Sequence, residues 1–114
     1  MLFQKCLVDG DKQKALQVIE VAIEHWESRT LKHAEAEEDG LYKDMIEANP
    51  DMVTTVIQLT RDHDLMRRIV DNLKNLLQID EPNQRMISLL DSLVIIDQIQ
   101  NDDEMNKLLV DREK

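Results

Sequence analysis

The chain predicts an all-α fold: an antiparallel bundle of three long helices preceded by a short N-terminal helical stub. Three observations lead there. Glycine and proline occur only twice each in 114 residues, so long stretches run without a residue that interrupts a helix. The apolar side chains are mainly Leu, Ile, Val, Met and Ala, with aromatics at 3 %, which favours helices packed on helices over a sheet. These side chains recur three and four residues apart, the spacing of one helix face.

Taken in order, residues 1–10 form the stub, an apolar piece closed by Asp9-Gly10-Asp11, where Gly10 suits the left-handed residue after a helix end. Asp11 then caps a helix over residues 11–48, in which Gly40 is the weak point. Its inward seam is expected at Ala15, Ile19, Ala22, Trp26, Thr30, His33, Glu37, Leu41 and Met45. Asn49-Pro50 pairs a good N-cap with proline at the first helical position, so a second long helix begins at once and spans 50–79. Its seam is Met52, Val56, Leu59, His63, Met66, Val70, Leu73 and Leu77. Asp80-Glu81-Pro82 ends it and opens the last helix, 81–111, with a seam through Met86, Leu90, Leu93, Asp97, Gln100, Glu104 and Leu108. The length suits one domain.

Charge narrows the function. Asp and Glu number 24 against 14 Lys and Arg, a net charge of −10, which repels phosphate backbones and anionic membrane surfaces. No nucleic-acid or membrane partner is expected. The single cysteine, Cys6, has no second thiol, no signal segment opens the chain, and no apolar run approaches the roughly 20 residues of a membrane span. A cytoplasmic protein is expected. Nucleophile elbows, phosphate loops and cysteine-rich zinc patterns are missing from the sequence, so acyl and phosphoryl chemistry have no support.

The informative residues are polar ones at core positions. His33 and Glu37 stand four apart on one helix face and can converge on a single cation. Counting from the turns, at ~1.5 Å per residue, puts His33 and His63 level across one pair of antiparallel helices. Asp97 is level with His63 across the other pair, with Gln100 and Glu104 one and two turns further on. A lone histidine in a core stripe is more often a hydrogen-bonded structural residue, and a lone carboxylate can reach the edge of a bundle. The joint pattern is harder to explain that way, because unpaired buried Glu37 and Glu104 would each cost several kcal/mol. A cation removes that cost, and imidazole mixed with carboxylate suits iron, manganese or zinc. His25 lies off the stripe and is expected to be solvated.

At these residues the chain resembles the hemerythrin-like (HHE cation-binding) domains, in particular a bacterial group of them. The segment from Trp26 to Tyr42, containing Leu31-Lys32-His33-Ala34-Glu35-Ala36-Glu37-Glu38-Asp39-Gly40-Leu41-Tyr42, is similar to the family's second helix, where a histidine and a glutamate four residues on ligate metal. Arg61-Asp62-His63-Asp64-Leu65-Met66-Arg67 is similar to its third. The resemblance implies a four-helix bundle with a non-haem di-iron centre, used in oxygen carriage, oxygen or nitric oxide sensing, iron handling or stress protection. Against the family pattern, the stub lacks most of the first helix and its ligand histidine. Gln100 stands where a fourth-helix histidine would be, and Arg67 replaces the second histidine of the oxygen-carrying members.

The sequence thus predicts a hemerythrin-like protein with a reduced metal site at His33, Glu37, His63 and Glu104, holding non-haem iron or another divalent metal ion, for metal or oxygen sensing or binding. The alternative is a metal-free helical interaction or structural module that has lost its cofactor. An oxidase ranks third, since no acid/base pair apart from these ligands can be named. Three apolar seams without a full fourth helix leave a groove, so a homodimer is expected, with Leu2, Phe3 and Leu7 packing across the contact.

Overall fold

The computed structural model describes Lys5 and residues 10–109. Of the expected stub, Leu2, Phe3, Cys6 and Leu7 lie outside the described residues, as do residues 110–114. Gly10 has φ +76°, the left-handed conformation anticipated for it. Asp11 caps helix α1 (Lys12–His25) by accepting from the Lys14 amide at 3.0 Å.

The first long stretch is less uniform than its sequence implies. α1 passes into a π-helical turn, Trp26–Thr30, and then into α2 (Leu31–Asp39). Gly40, at φ −118° and ψ −82°, separates α2 from α3 (Leu41–Ala48). Both irregularities move the inward stripe. A π turn takes about one extra residue, so the inward position after Thr30 falls at Ala34 rather than His33. The break at Gly40 shifts the next from Leu41 to Tyr42. Earlier in the stripe Ile23 is buried where Ala22 was expected.

Asn49 accepts from the Asp51 amide and Pro50 opens a short 3₁₀ turn, Pro50–Met52, that leads into α4 (Val53–Ile79). Its seam is buried from Met52 through Leu73, His63 included. The last helix, α5 (Gln84–Asp103), starts later than the Asp80-Glu81-Pro82 signal suggests, because Asn83 supplies the cap by accepting from the Met86 amide. A second π turn, Glu104–Leu109, follows it.

Helix α4 is the centre of the molecule, packing against α5 on one side and α1 and α2 on the other. Two apolar clusters result. In one, Ile19 and Ile23 of α1 meet Met66, Val70 and Leu73 of α4 and Met86, Leu90 and Leu93 of α5. In the other, Tyr42 and Met45 of α3 meet Met52, Val56 and Leu59. His63 lies between Leu59 of one cluster and Met66 of the other, so a polar layer is enclosed by apolar packing at both ends. Among the described residues no helix is long and apolar enough to cross a membrane.

Candidate metal centre

Glu37 of α2, His63 of α4 and Glu104 at the end of α5 each present a ligand-type atom, and these atoms all lie within 4.8 Å of one another. His63 is only 2 % exposed. Its Nε2 is 3.6 Å from Glu37 Oε1. Two donors held about 2.0–2.2 Å from one ion are separated by roughly 3–4 Å, so this spacing admits a shared cation.

His33 is placed differently from expectation. Its side chain is 76 % exposed, at the rim of the site rather than in the core, for the reason of phase given above. Its Nε2 nevertheless approaches Glu37 Oε1 to 3.7 Å from the solvent side. His25 is exposed, as expected. Asp97 is half-buried one turn before Gln100, and burial followed by the charge of Glu104 raises its carboxyl above the usual range.

The His63 ring is oriented from behind. Its Nδ1 donates to Glu38 Oε2 at 2.8 Å, because a carboxylate can only accept, and the Nε2 lone pair then faces Glu37 and Glu104. Arg67 donates to the same Glu38 oxygen at 2.7 Å and to Asp64 Oδ1 at 2.8 Å. A carboxylate behind a ligand histidine fixes the ring and strengthens it as a donor. The Tyr42 ring stacks on the imidazole, with centroids 5.7 Å apart and planes at 8°.

On the other side Tyr42 donates from its hydroxyl to Glu104 Oε1 at 2.7 Å. Gln100, 2 % exposed, directs Nε2 at Tyr42 Oη and Glu104 Oε1, each at 3.0 Å, and also at His63 Nε2. Its carbonyl oxygen, Oε1, is buried without a hydrogen-bond partner among the described residues. Burial, with the hydrogen bond and charge of Glu104 added, raises the Glu37 carboxyl to about 8. Burial also pushes Glu104 up, but hydrogen bonds from Glu37, Gln100 and Tyr42 outweigh it and hold that carboxyl low. Two carboxylates this close cannot both ionise in a buried site, so Glu37 keeps a proton that Glu104 gives up. Burial and the contact with Glu104 raise the Tyr42 phenol, which stays protonated.

The sequence reading did not foresee the roles of Glu38, Arg67 and Tyr42. Arg67 follows His63 by one turn, which is the signal that could have paired it with the Glu38 beside Glu37. Tyr42 gave no such signal, since the shift at Gly40 is not visible in the spacing.

The model of the hemerythrin HHE cation binding domain matches residues 1–107. The chain belongs to that family. Membership implies cation binding. Among curated proteins and solved structures, none matches the chain significantly. The residues present fit a cation. Glu37 and Glu104 are held against imidazoles, a phenol and an amide, none of which is a fixed positive charge, and a buried carbonyl oxygen beside them has no partner. Nitrogen mixed with anionic oxygen is a donor set for first-row divalent metals.

Proposed function

We propose that this protein binds a divalent metal, non-haem iron, with Glu37, His63 and Glu104 as ligands and His33 completing the set from the rim. The observation that carries this reading is the convergence of a buried glutamate, a half-buried glutamate and a buried histidine from three different helical segments within 4.8 Å. Packing alone gives no reason to gather like charges in a bundle core. A cation offsets their repulsion and takes the place of the proton on Glu37. A bound iron would supply a redox-active centre able to respond to oxygen, and the role is binding or sensing rather than turnover. The chain's own residues hold and orient: Glu38 aims His63, Tyr42 donates to Glu104, and the two apolar clusters close the layer at both ends.

The test is metal analysis of protein purified without chelator, followed by reconstitution with Fe(II), Mn(II) or Zn(II). Near-stoichiometric metal that is lost in His63→Ala supports the reading. Retention of none of the three metals overturns it.

A second reading has one observation in its favour. Val94, Ile95 and Ile99 of the last helix and Met105 beyond it are exposed, as an interaction module would present apolar side chains. A metal-free helical partner-binding domain is the function that a negative metal analysis would leave standing.

A further inference from the structure

We infer that Gln100 sets the cation preference of this site: its side-chain amide turns over when metal binds and offers Oε1 as an oxygen ligand beside His63, Glu37 and Glu104. The inference rests on the metal-binding reading above and adds a residue and a selectivity to it.

Two features of the amide point this way. The Nε2 group has two hydrogens but faces three acceptor atoms, Tyr42 Oη and Glu104 Oε1 at 3.0 Å each and His63 Nε2. The carbonyl oxygen of the same amide is buried and has no partner among the described residues, which leaves its desolvation uncompensated. In the metal-free arrangement the amide therefore acts as a neutral stand-in for a cation, donating hydrogens into the centre of an acceptor cluster. A rotation of about 180° about the last side-chain torsion, which is broad and two-fold, exchanges the positions of Nε2 and Oε1. Oε1 then sits about where Nε2 now is, next to His63 Nε2 and near Glu104 Oε1. Its 3.0 Å from Glu104 Oε1 is a separation that neighbouring donors on one small ion take, while the closer His63 ring would have to draw back slightly to share that ion.

The turned amide is favourable only with a cation in place. Without one, its oxygen would face the Glu104 carboxylate and the His63 lone pair. With one, the orphaned oxygen gains the partner it lacks, and the Tyr42 hydroxyl keeps its bond to Glu104. The resulting donor set holds three oxygens against two imidazoles, the buried His63 and His33 at the rim. Each oxygen donor that takes the place of a nitrogen narrows the advantage of Zn(II) and Cu(II) over Mn(II), because the former gain more from imidazole nitrogen.

The experiment compares wild type with Gln100→Leu, close in shape and without donor or acceptor, and Gln100→His. Affinities for Mn(II) and Zn(II) are measured by competition with a chromophoric chelator, and the first coordination shell is counted by X-ray absorption. Gln100→Leu should bind Mn(II) at least about tenfold more weakly with one fewer oxygen neighbour, and Gln100→His should shift preference toward Zn(II). The Gln100 side-chain amide ¹⁵N and ¹H resonances of wild type should move on loading with diamagnetic Zn(II), as its hydrogens leave Glu104. Circular dichroism and thermal melting establish that the variants fold. If wild type and Gln100→Leu bind Mn(II) equally, with the same shell, the ligand role of Gln100 is wrong while the metal site stands. If wild type binds no metal, both proposals fall.

Discussion

Glu38 Oε2 accepts from His63 Nδ1 at 2.8 Å and from Arg67 at 2.7 Å, so one carboxylate oxygen joins the buried ring to a half-buried guanidinium. Glu38 and Glu37 are neighbours in sequence, yet only Glu37 faces the centre of the cluster. Glu38 reaches the histidine from behind. Adjacent carboxylates on one helix thus point two ways, one into the cluster and one to the back of the imidazole.

Glu38→Ala should lower metal affinity by about 10–100-fold, the usual effect of losing a partner behind a ligand, with little change in helicity. Calorimetric titration with Mn(II) or Fe(II) measures it. An unchanged affinity would show that the Glu38 contact does not orient the ring.

The metal-free protein should lose stability as pH rises. Glu37 ordinarily titrates at 4.5 but in the folded protein holds its proton to about 8. A raised folded pKa gives stabilisation that is fully present below 4.5 and is lost as pH rises through 8. Glu104 is shifted downward, so its contribution is present above its ordinary value and is lost in acid. With chelator present, Tm should fall from about pH 5 to pH 8; with excess Mn(II) the fall should vanish, because the ion has replaced the proton. A Tm in chelator that rises over this range would contradict the shared proton. Metal binding at pH 7 should also release a proton, visible as a buffer-dependent enthalpy.

Aerobic iron loading should not produce the strong near-ultraviolet bands of an oxo-bridged di-iron centre. Such a centre needs several imidazoles, and here one histidine is buried and a second stands at the rim. Full-intensity bands would mean that ligands beyond those named take part.

Two positions report on the fold apart from the metal. Leu73 is fully buried between α1, α4 and α5, and Leu73→Ala should cost about 2–5 kcal/mol in urea unfolding. Asn83→Ala removes the cap of α5 and should cost about 1 kcal/mol. The metal affinity of the folded fraction should stay near that of wild type in both.

The apolar positions Ile95 and Ile99, one turn apart on α5, are exposed together with the adjacent Val94. If they form the contact of a homodimer, sedimentation equilibrium at micromolar concentration should give about twice the 13.3 kDa chain mass, and Ile95→Glu with Ile99→Glu should return it to one. A monomeric wild type under those conditions would remove the homodimer.

The helices were legible because their signals are local: Asp11, Asn49 and Pro50 act on amides a few residues away, and the α4 seam keeps its spacing from Met52 to Leu73. The level of the polar layer was legible for a similar reason, since short turns make distances along antiparallel helices comparable. What escaped was rotational phase. His33 was expected inward because the count assumed an uninterrupted helix, and the π turn at Trp26–Thr30 is not encoded by any single residue type; Gly40 marked a weak point further on but not the direction in which the stripe shifts there. Side-chain partnerships such as Glu38 with Arg67 depend on that phase and escaped with it.

The wide turn at Trp26–Thr30 works like a coupling between two shafts. Upstream, α1 is locked to α4 and α5 through Ile19 and Ile23; downstream, α2 delivers Glu37 to His63. Deleting one residue from the turn would let it close to ordinary α-helix and turn the two halves against each other by about 100°. Either the hydrophobic anchor or the carboxylate would then miss its target. The surplus residue therefore acts as the gauge that times α2 to α4, and length here constrains the chain more tightly than the identity of any side chain in the turn.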